Sequence, residues 1–386
     1  MSFETNRRDF LRGALATSAV LIAARSARSL SLSAERHFAP VKVARNRIIR
    51  EVVGLRPYRP AGFVVSAERL GEKLIVHNYG HGGAGITLSW GTASLALDLL
   101  SGRPASPGGP RHQRRTSATP SFAVLGAGVN GLSTARLLQR RFGNAGATVT
   151  IYARDLPPDT TSNIAGGFWH PTSVYEPDQV TPKFAEQFQQ ACRISNRAFQ
   201  LLAGDQYGVR WIETFELIHN EENLTRELPG GNDLYPENQI HRDPDRYFGF
   251  KYARQYNTML IEPSIYLNAL LRDFYVAGGK LLVKEFRSRQ EIMRLREPVI
   301  FNCTGLGARA LFADRALIPV RGQLEVLLPQ PEIDYCYLSS GYMFPRRDGI
   351  ILGGTWDHDD WSLTPNPEQT TGILETHAEI MKGLKS

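Results

Sequence analysis

The chain has 386 residues, enough for two domains, and its 42% hydrophobic content suits a globular core. The formal net charge is +7, but no aromatic residues interleave the basic runs, which argues against a nucleic-acid surface and is compatible with small anionic ligands. Cys192, Cys303 and Cys336 are scattered and odd in number, so neither a disulfide framework nor zinc-ligand spacing is visible.

The first element in chain order is a targeting segment. Thr5-Asn6-Arg7-Arg8-Asp9-Phe10-Leu11 reads as a twin-arginine signal, and the apolar stretch Gly13 to Ala24 behind it is shorter than the ~20 residues of a membrane span. Residues 1–34 therefore predict export of a folded protein by the twin-arginine machinery to the periplasm or beyond, with cleavage between Ala24 and Ala34. No membrane span and no internal repeat is expected.

Phe63–Glu68 and Leu74–Val76 read as strands about a turn at Gly71-Glu72-Lys73. The second runs into His77-Asn78-Tyr79-Gly80-His81-Gly82-Gly83-Ala84-Gly85, and Ile86 to Leu100 continues as a helix. A glycine turn that opens a helix gathers free N–H groups and the positive end of the helix dipole, a natural seat for an anionic cofactor group. Ser101–Ser121, rich in proline, glycine and arginine, has no core-forming residues and reads as a linker.

A second glycine turn follows. Phe122–Leu125 is a short apolar strand, Gly126-Ala127-Gly128-Val129-Asn130-Gly131 is G-x-G-x-x-G, and Leu132–Arg141 continues as a helix. This is the strand–turn–helix setting in which the motif binds dinucleotides. Thr148–Tyr152 gives the next parallel strand. At its end stand Arg154 and Asp155, where an acid for a ribose hydroxyl is usual; an arginine there suits a 2′-phosphate as well, so the motif alone does not choose the nucleotide. Helices near 183–203 and 263–277 come next, then strands at 280–283, 298–303, 323–327, 342–344 and 350–352, and a last helix at about 368–382. The pattern predicts an α/β fold, a Rossmann-like domain joined to an α+β domain.

Several motifs converge on one family. Val124–Ala135, Asp159–Trp169, Asn302-Cys303-Thr304-Gly305, Val320-Arg321-Gly322-Gln323, Tyr342–Arg346, Leu352-Gly353-Gly354, Gly54-Leu55-Arg56-Pro57 and the His77–Gly83 run together resemble the D-amino-acid oxidases, which are FAD flavoenzymes. Their order differs: in that family the Gly-Leu-Arg-Pro strand and the His-Asn-Tyr-Gly-His-Gly-Gly turn close the chain, whereas here they come first. The resemblance thus implies a circular permutation. Residues 35–100 would be the family's C-terminal segment and 101–121 a linker, whose extended reach of ~70 Å is ample. Residues 122–175 would be the FAD-binding βαβ unit, 176–284 and 313–386 the substrate domain with a mostly antiparallel sheet, and 285–312 the return to the FAD-binding domain.

The resemblance also implies the chemistry: oxidation of a D-amino acid by hydride transfer to flavin N5, hydrolysis of the imine to a 2-oxo acid and ammonia, and reoxidation by dioxygen to hydrogen peroxide. A dehydrogenase with another acceptor and a non-catalytic flavin binder are the alternatives. Arg56 and Tyr342 would hold the substrate carboxylate, the Gly83 carbonyl would accept the amine, and no general base is needed. The family's second, lid tyrosine falls at Leu338, with Tyr337 adjacent as its nearest replacement. FAD would be held by Gly126, Ala127, Gly128, Val129, Asn130 and Gly131 of the second turn, with Arg154 beyond it. Thr160, Thr161, Ser162 and Gly167, then Phe286, Thr304 and Gly305, would add to it. Gly82, Gly83, Ala84, Gly85, Ile86 and Thr87 of the first turn complete the set. His170 stands near the expected flavin face as a substrate contact or a packed structural histidine. Asp357-His358-Asp359-Asp360 reads as a solvated turn, and no metal is expected.

Overall fold

The structure is a computed structural model that describes residues 37–101, 119–242 and 248–384. The twin-arginine segment and nearly all of the linker lie outside those residues. In chain order the elements are β1 (Ile48–Tyr58), β2 (Val64–Leu70), β3 (Lys73–Tyr79), α1 (Gly85–Asp98), β4 (Ser121–Leu125), α2 (Val129–Phe142) and β5 (Thr148–Ala153). There follow α3 (Pro182–Leu201), β6 (Val209–Ile218), β7 (Gln239–His241), β8 (Tyr252–Ile261), α4 (Pro263–Val276), β9 (Lys280–Val283) and β10 (Val299–Asn302). The last are β11 (Ile318–Leu327), β12 (Tyr335–Leu338), β13 (Tyr342–Arg346), β14 (Gly349–Gly353), β15 (Asp357–His358) and α5 (Pro367–Lys382). All belong to the unit Pro40–Lys385, set apart from the leading segment through Ala39.

Among the described residues the strands form two sheets. The order β2-β3-β10-β4-β5-β9 makes a six-stranded sheet, parallel except for the β2–β3 hairpin. The order β1-β11-β14-β13-β12-β6-β8-β7, with β15 on β11, makes a nine-stranded sheet, antiparallel except where β12 meets β6. The segment ahead of the linker completes both: β1 edges the antiparallel sheet and β3 pairs with β10 inside the parallel one. β9, expected within the substrate part, pairs instead with β5, so the parallel sheet's share of the chain begins before residue 285.

Local chemistry explains the elements. The β4 and β10 strands are buried on both faces and read as continuous apolar runs, as parallel sheets covered by helices must. α3 starts where the Thr181 hydroxyl accepts from the Phe184 N–H at 3.2 Å with Pro182 in the first turn. It buries Phe184, Phe188, Ala191, Cys192, Ser195 and Phe199, a stripe at helical spacing. α1 is buried nearly all round because it passes between α2 and α3. Gly91 makes that crossing possible: a Cβ there would enter the backbone of Ala191, and the Gly91 N–H donates instead to the Ser195 hydroxyl at 2.8 Å. The helix expected to reach Leu100 ends at Asp98 and tightens into a 3₁₀ turn.

Candidate active site

The two glycine turns face a single cavity of about 1660 Å³, at the carboxyl ends of β3, β10, β4 and β5. A pocket for one drug-sized ligand occupies ~300–1,000 Å³, so this space admits a dinucleotide and a small substrate together. It lies where ligands bind in open α/β sheets.

The second turn is built so that backbone approaches the cavity. Gly126 has φ +103°, and a Cβ there would lie 2.5 Å from the Cys303 carbonyl oxygen. Its N–H donates to the Tyr152 carbonyl at 2.8 Å, tying the turn to β5. Ala127, Gly128, Val129 and Asn130 line the space. The Ser162 hydroxyl accepts from the Val129 N–H at 3.0 Å, which brings the 160–162 loop over the start of α2. Thr160, Thr161, Ser162, Gly167, Phe286, Thr304 and Gly305 all border the cavity. Arg154 borders it too, and its guanidinium is engaged with Asp155 at 2.7 Å and Glu285 at 3.7 Å.

The first turn lines the same space. Gly82 has φ +55° and packs on the Ser173 carbonyl, which also accepts from the Gly83 N–H at 2.9 Å. Gly82, Gly83, Gly85, Ile86 and Thr87 line the cavity. The polar residues just ahead of them hold one another. Asn78 donates to the Thr134 hydroxyl at 3.2 Å, the His81 ring meets the Asn78 carbonyl at 3.1 Å, and the His77 ring meets Asn302 at 3.0 Å. Burial holds His81 down to about 3 and lowers His77, so both are neutral struts.

Two expected cofactor residues stand behind the surface instead of on it. Ala84 is fully buried in the core, and Gly131 packs its Cα on the Gly126 carbonyl, where a Cβ would collide. They shape the turns but do not line the cavity.

Arg56 and Tyr342 also line the space. Arg56 extends from β1 across Gly322 of β11, whose missing side chain leaves room for the guanidinium. Its Nη1 donates to the Thr355 carbonyl at 3.1 Å, and the Trp356 ring lies 5.0 Å from its Cζ. Among the described residues no carboxylate forms an ion pair with it. Tyr342 stacks on Phe344 with centroids 4.9 Å apart and fits against Gly353 and Gly354, where a Cβ on Gly354 would lie 2.6 Å from its hydroxyl.

Tyr337 does not reach this site. It is fully buried, and its hydroxyl meets His377 Nδ1 at 2.5 Å on the far side of β12. The physical reason is strand alternation: Leu338, its neighbour, is the residue that faces the cavity. His170 lines the cavity with its Nδ1 3.5 Å from the Tyr256 hydroxyl, and burial, then Arg226 and Arg254, push its pKa down to about 4. Asp357 pairs with Arg321 at 3.2 Å, and among the described residues no cluster suits a metal.

The structure adds residues with no motif in the sequence. Trp356, Trp361 and Leu363 of the β14–α5 connection border the cavity and are partly exposed. Glu216 on β6 and Arg226 in the loop after it border it as well. β6 and β8 pair over ten residues, Val209 with Ile261 through Ile218 with Tyr252. Their mixed polar sequences show no clean alternation, and neither strand was expected.

Comparison with known proteins agrees with this geometry. The family model described as FAD dependent oxidoreductase (DAO) matches residues 121–386. A D-amino acid oxidase of Dugesia ryukyuensis is 31% identical over 274 residues, 68% of this chain and 78% of the relative. Human D-aspartate oxidase is 32% identical over 267 residues, 66% of this chain and 74% of its own length. A D-amino-acid oxidase of Streptomyces coelicolor is 32% identical over 267 residues, covering 67% and 76%. Among solved structures, glycine oxidase from Bacillus cereus aligns over 67% of this chain and 77% of its own, with TM-score 0.51 and 17% identity, a likeness of fold.

Proposed function

This chain belongs to the DAO family of FAD-dependent oxidoreductases, and from that premise we propose that it oxidises a D-amino acid. The overall reaction converts the amino acid, dioxygen and water to the 2-oxo acid, ammonia and hydrogen peroxide. The observation that carries this reading is the pairing of an unneutralised guanidinium, Arg56, with Tyr342 in the cavity that the two glycine turns border.

The cofactor is FAD, and the residues present fit it. Gly126 and Gly128 let backbone approach a pyrophosphate; a Cβ at Gly126 would collide with Cys303, and one at Gly128 would crowd the Ser162 hydroxyl at 3.2 Å. The N-termini of α2 and α1 both open onto the cavity, where the positive end of each helix dipole favours an anion. FAD, when bound, would supply the two-electron acceptor for the reaction.

The protein's own work is to align the substrate. Arg56 takes the α-carboxylate in a two-pronged hydrogen bond, which fixes direction as well as charge. Trp356 covers one face of the guanidinium and limits its hydration. Tyr342 donates its hydroxyl to the same carboxylate. The glycine wall at Gly83 lets the amine come close to backbone. Holding the reacting atoms in near-attack geometry is worth several kcal/mol.

The permuted order is part of the proposal. The family match begins at residue 121, while residues 48–98 supply β1 to one sheet, β2 and β3 to the other, and the helix at the cavity. The Val41 N–H lies 3.2 Å from the Met381 sulfur, so the start of the unit meets the last turn of α5. That proximity is what a family chain opened after α5 and rejoined through residues 102–118 would leave. Export by the twin-arginine route completes the proposal and accords with a protein that takes up its cofactor before it crosses a membrane.

The test is to mix the flavin-loaded protein with a panel of D-amino acids without oxygen and follow the visible flavin absorption. Bleaching followed by peroxide on admitting air is the expected result. No bleaching with any substrate overturns the oxidation; bleaching without peroxide replaces dioxygen by another acceptor.

A further inference from the structure

The proposed reaction needs two fixed points for one small substrate: the Arg56 guanidinium for its carboxylate and the backbone at Gly83 for its amine. They belong to different sheets. Arg56 lies on β1, at the edge of the antiparallel sheet, and Gly83 follows β3 of the parallel one. Their spacing depends on what joins the two sheets at this place.

The loop Thr172–Glu176 joins them. On the side of the parallel sheet, the Ser173 carbonyl accepts from the Gly83 N–H at 2.9 Å. On the side of β1, the Glu176 N–H donates to the Pro60 carbonyl at 2.8 Å, and the Glu176 carboxylate accepts from the Tyr58 hydroxyl. Between these ties Ser173 has φ +57°, a left-handed conformation that a residue with a Cβ keeps only where its surroundings impose it.

Tyr58 is where the ties meet. It stands two residues beyond Arg56 and so on the same face of β1. Its ring is buried and does not line the cavity. It packs edge-on against Trp356 with centroids 5.4 Å apart, and Trp356 covers the Arg56 guanidinium. A Cβ on Gly82 would lie 3.0 Å from the same tyrosine ring. Two rings thus span from the guanidinium to the glycine turn. Burial, then the Glu176 carboxylate, push the Tyr58 phenol above its ordinary pKa, so it keeps its proton and donates.

We infer that Glu176 is a positioning residue: by holding Tyr58 it sets the spacing between Arg56 and Gly83 that a D-amino acid must bridge. This rests on the proposed D-amino-acid oxidation. Glu176 does not line the cavity and acts through Tyr58 and the loop. A ligand that uses Arg56 alone does not feel the spacing, whereas a substrate that uses both points does.

The test separates these two demands in the flavin-loaded protein. Flavin reduction without oxygen, by the best D-amino acid of the panel, reads the alignment. Binding of propionate, which has a carboxylate and no amine, reads the anchor through perturbation of flavin absorption. Glu176→Ala should slow reduction at saturating substrate by ~10–100-fold, the scale of a misplacement of about one ångström, and leave the propionate Kd within about two-fold. Tyr58→Phe should do the same, and the double variant should fall no further than either single, because one contact is lost in all three. Glu176→Gln keeps an oxygen that accepts from the hydroxyl and should hold the rate within about three-fold of the wild type. Reduction at the wild-type rate in Glu176→Ala overturns the inference. So does an equal loss of rate and of propionate affinity, which marks general damage to the site, or a double variant in which the two losses multiply. A wild type whose flavin no D-amino acid reduces would instead overturn the oxidation itself.

Discussion

Arg56 and Tyr342 come from strands far apart in sequence, yet they rest on adjacent residues of one segment. The Tyr342 hydroxyl packs against Gly354, and Arg56 donates to the carbonyl of the next residue, Thr355, at 3.1 Å. The Gly354-Thr355 segment thus sets the spacing between a cation and a hydroxyl that face one cavity. A substrate carboxylate that bridges them meets a preset geometry.

Arg56→Ala should therefore lower kcat/KM by ~10²–10³-fold, the loss of a two-pronged charge-assisted pair worth about 3–4 kcal/mol. Flavin content should not change. Arg56→Lys should recover only part, because an ammonium cannot match both carboxylate oxygens. Steady-state kinetics beside the flavin-to-protein absorbance ratio checks this. Gly322→Ala should act in the same direction by displacing the guanidinium.

Gly126→Ala should abolish cofactor retention. The residue sits at φ +103°, where a side chain is strained, and its Cβ would press on the Cys303 carbonyl. The expected outcome is a folded, colourless protein by far-ultraviolet circular dichroism and release of FAD on gel filtration. Retained yellow colour would count against this turn as the pyrophosphate seat.

Tyr337→Phe should leave kcat/KM within about two-fold, because the hydroxyl meets His377 and not the cavity. Loss of that buried hydrogen bond should cost ~1–3 kcal/mol of stability, visible as a lower denaturation midpoint. A large loss of activity with unchanged stability would restore Tyr337 to the site.

Stability should fall on mild acidification. Burial depresses His81 to about 3 and His170 and His377 to about 4. The unfolded chain binds these protons near the ordinary histidine value of ~6.5, so between that pH and about 4 it holds more protons than the native state. Stability is full above the unfolded value and is lost as pH drops through the window, by on the order of 2–3 kcal/mol for each group. Thermal midpoints measured from pH 7 to pH 4 should decline, and His377→Gln should flatten the slope. A flat profile for the wild type would show that these rings are protonated without penalty.

Much of the fold is legible in the sequence where a local rule governs it. The strand–glycine–helix units at β3–α1 and β4–α2 carry their own turn chemistry, and Thr181-Pro182 and Asn366-Pro367 mark helix starts by caps seen in the structure. β6 and β8 were not legible, since their polar residues are accommodated on both sides of a wide sheet. In the site, Arg56 and Tyr342 sit in recognisable strings, while Arg226, Trp356 and Trp361 belong to connections whose position is decided by distant partners. Arg254 fixes one of those connections from thirty positions away in the chain. Tyr337 was misassigned because adjacent strand residues face opposite ways: with Leu338 toward the cavity, its neighbour had to point elsewhere.

The leading strand has a consequence for how the molecule comes into being. Among the described residues β1 is the first strand in the chain, and nine others separate it from its partner β11: Tyr58 pairs with Ile318 and Ile48 with Leu327. During synthesis β1 has no sheet to join, and the loop that eventually closes its ladder contains most of the protein. Such distant pairing is reached late and slowly, while an unpaired strand invites association with other chains. Arg56 lies on that strand. The proposed anchor for substrate is thus translated well before the strand it pairs with.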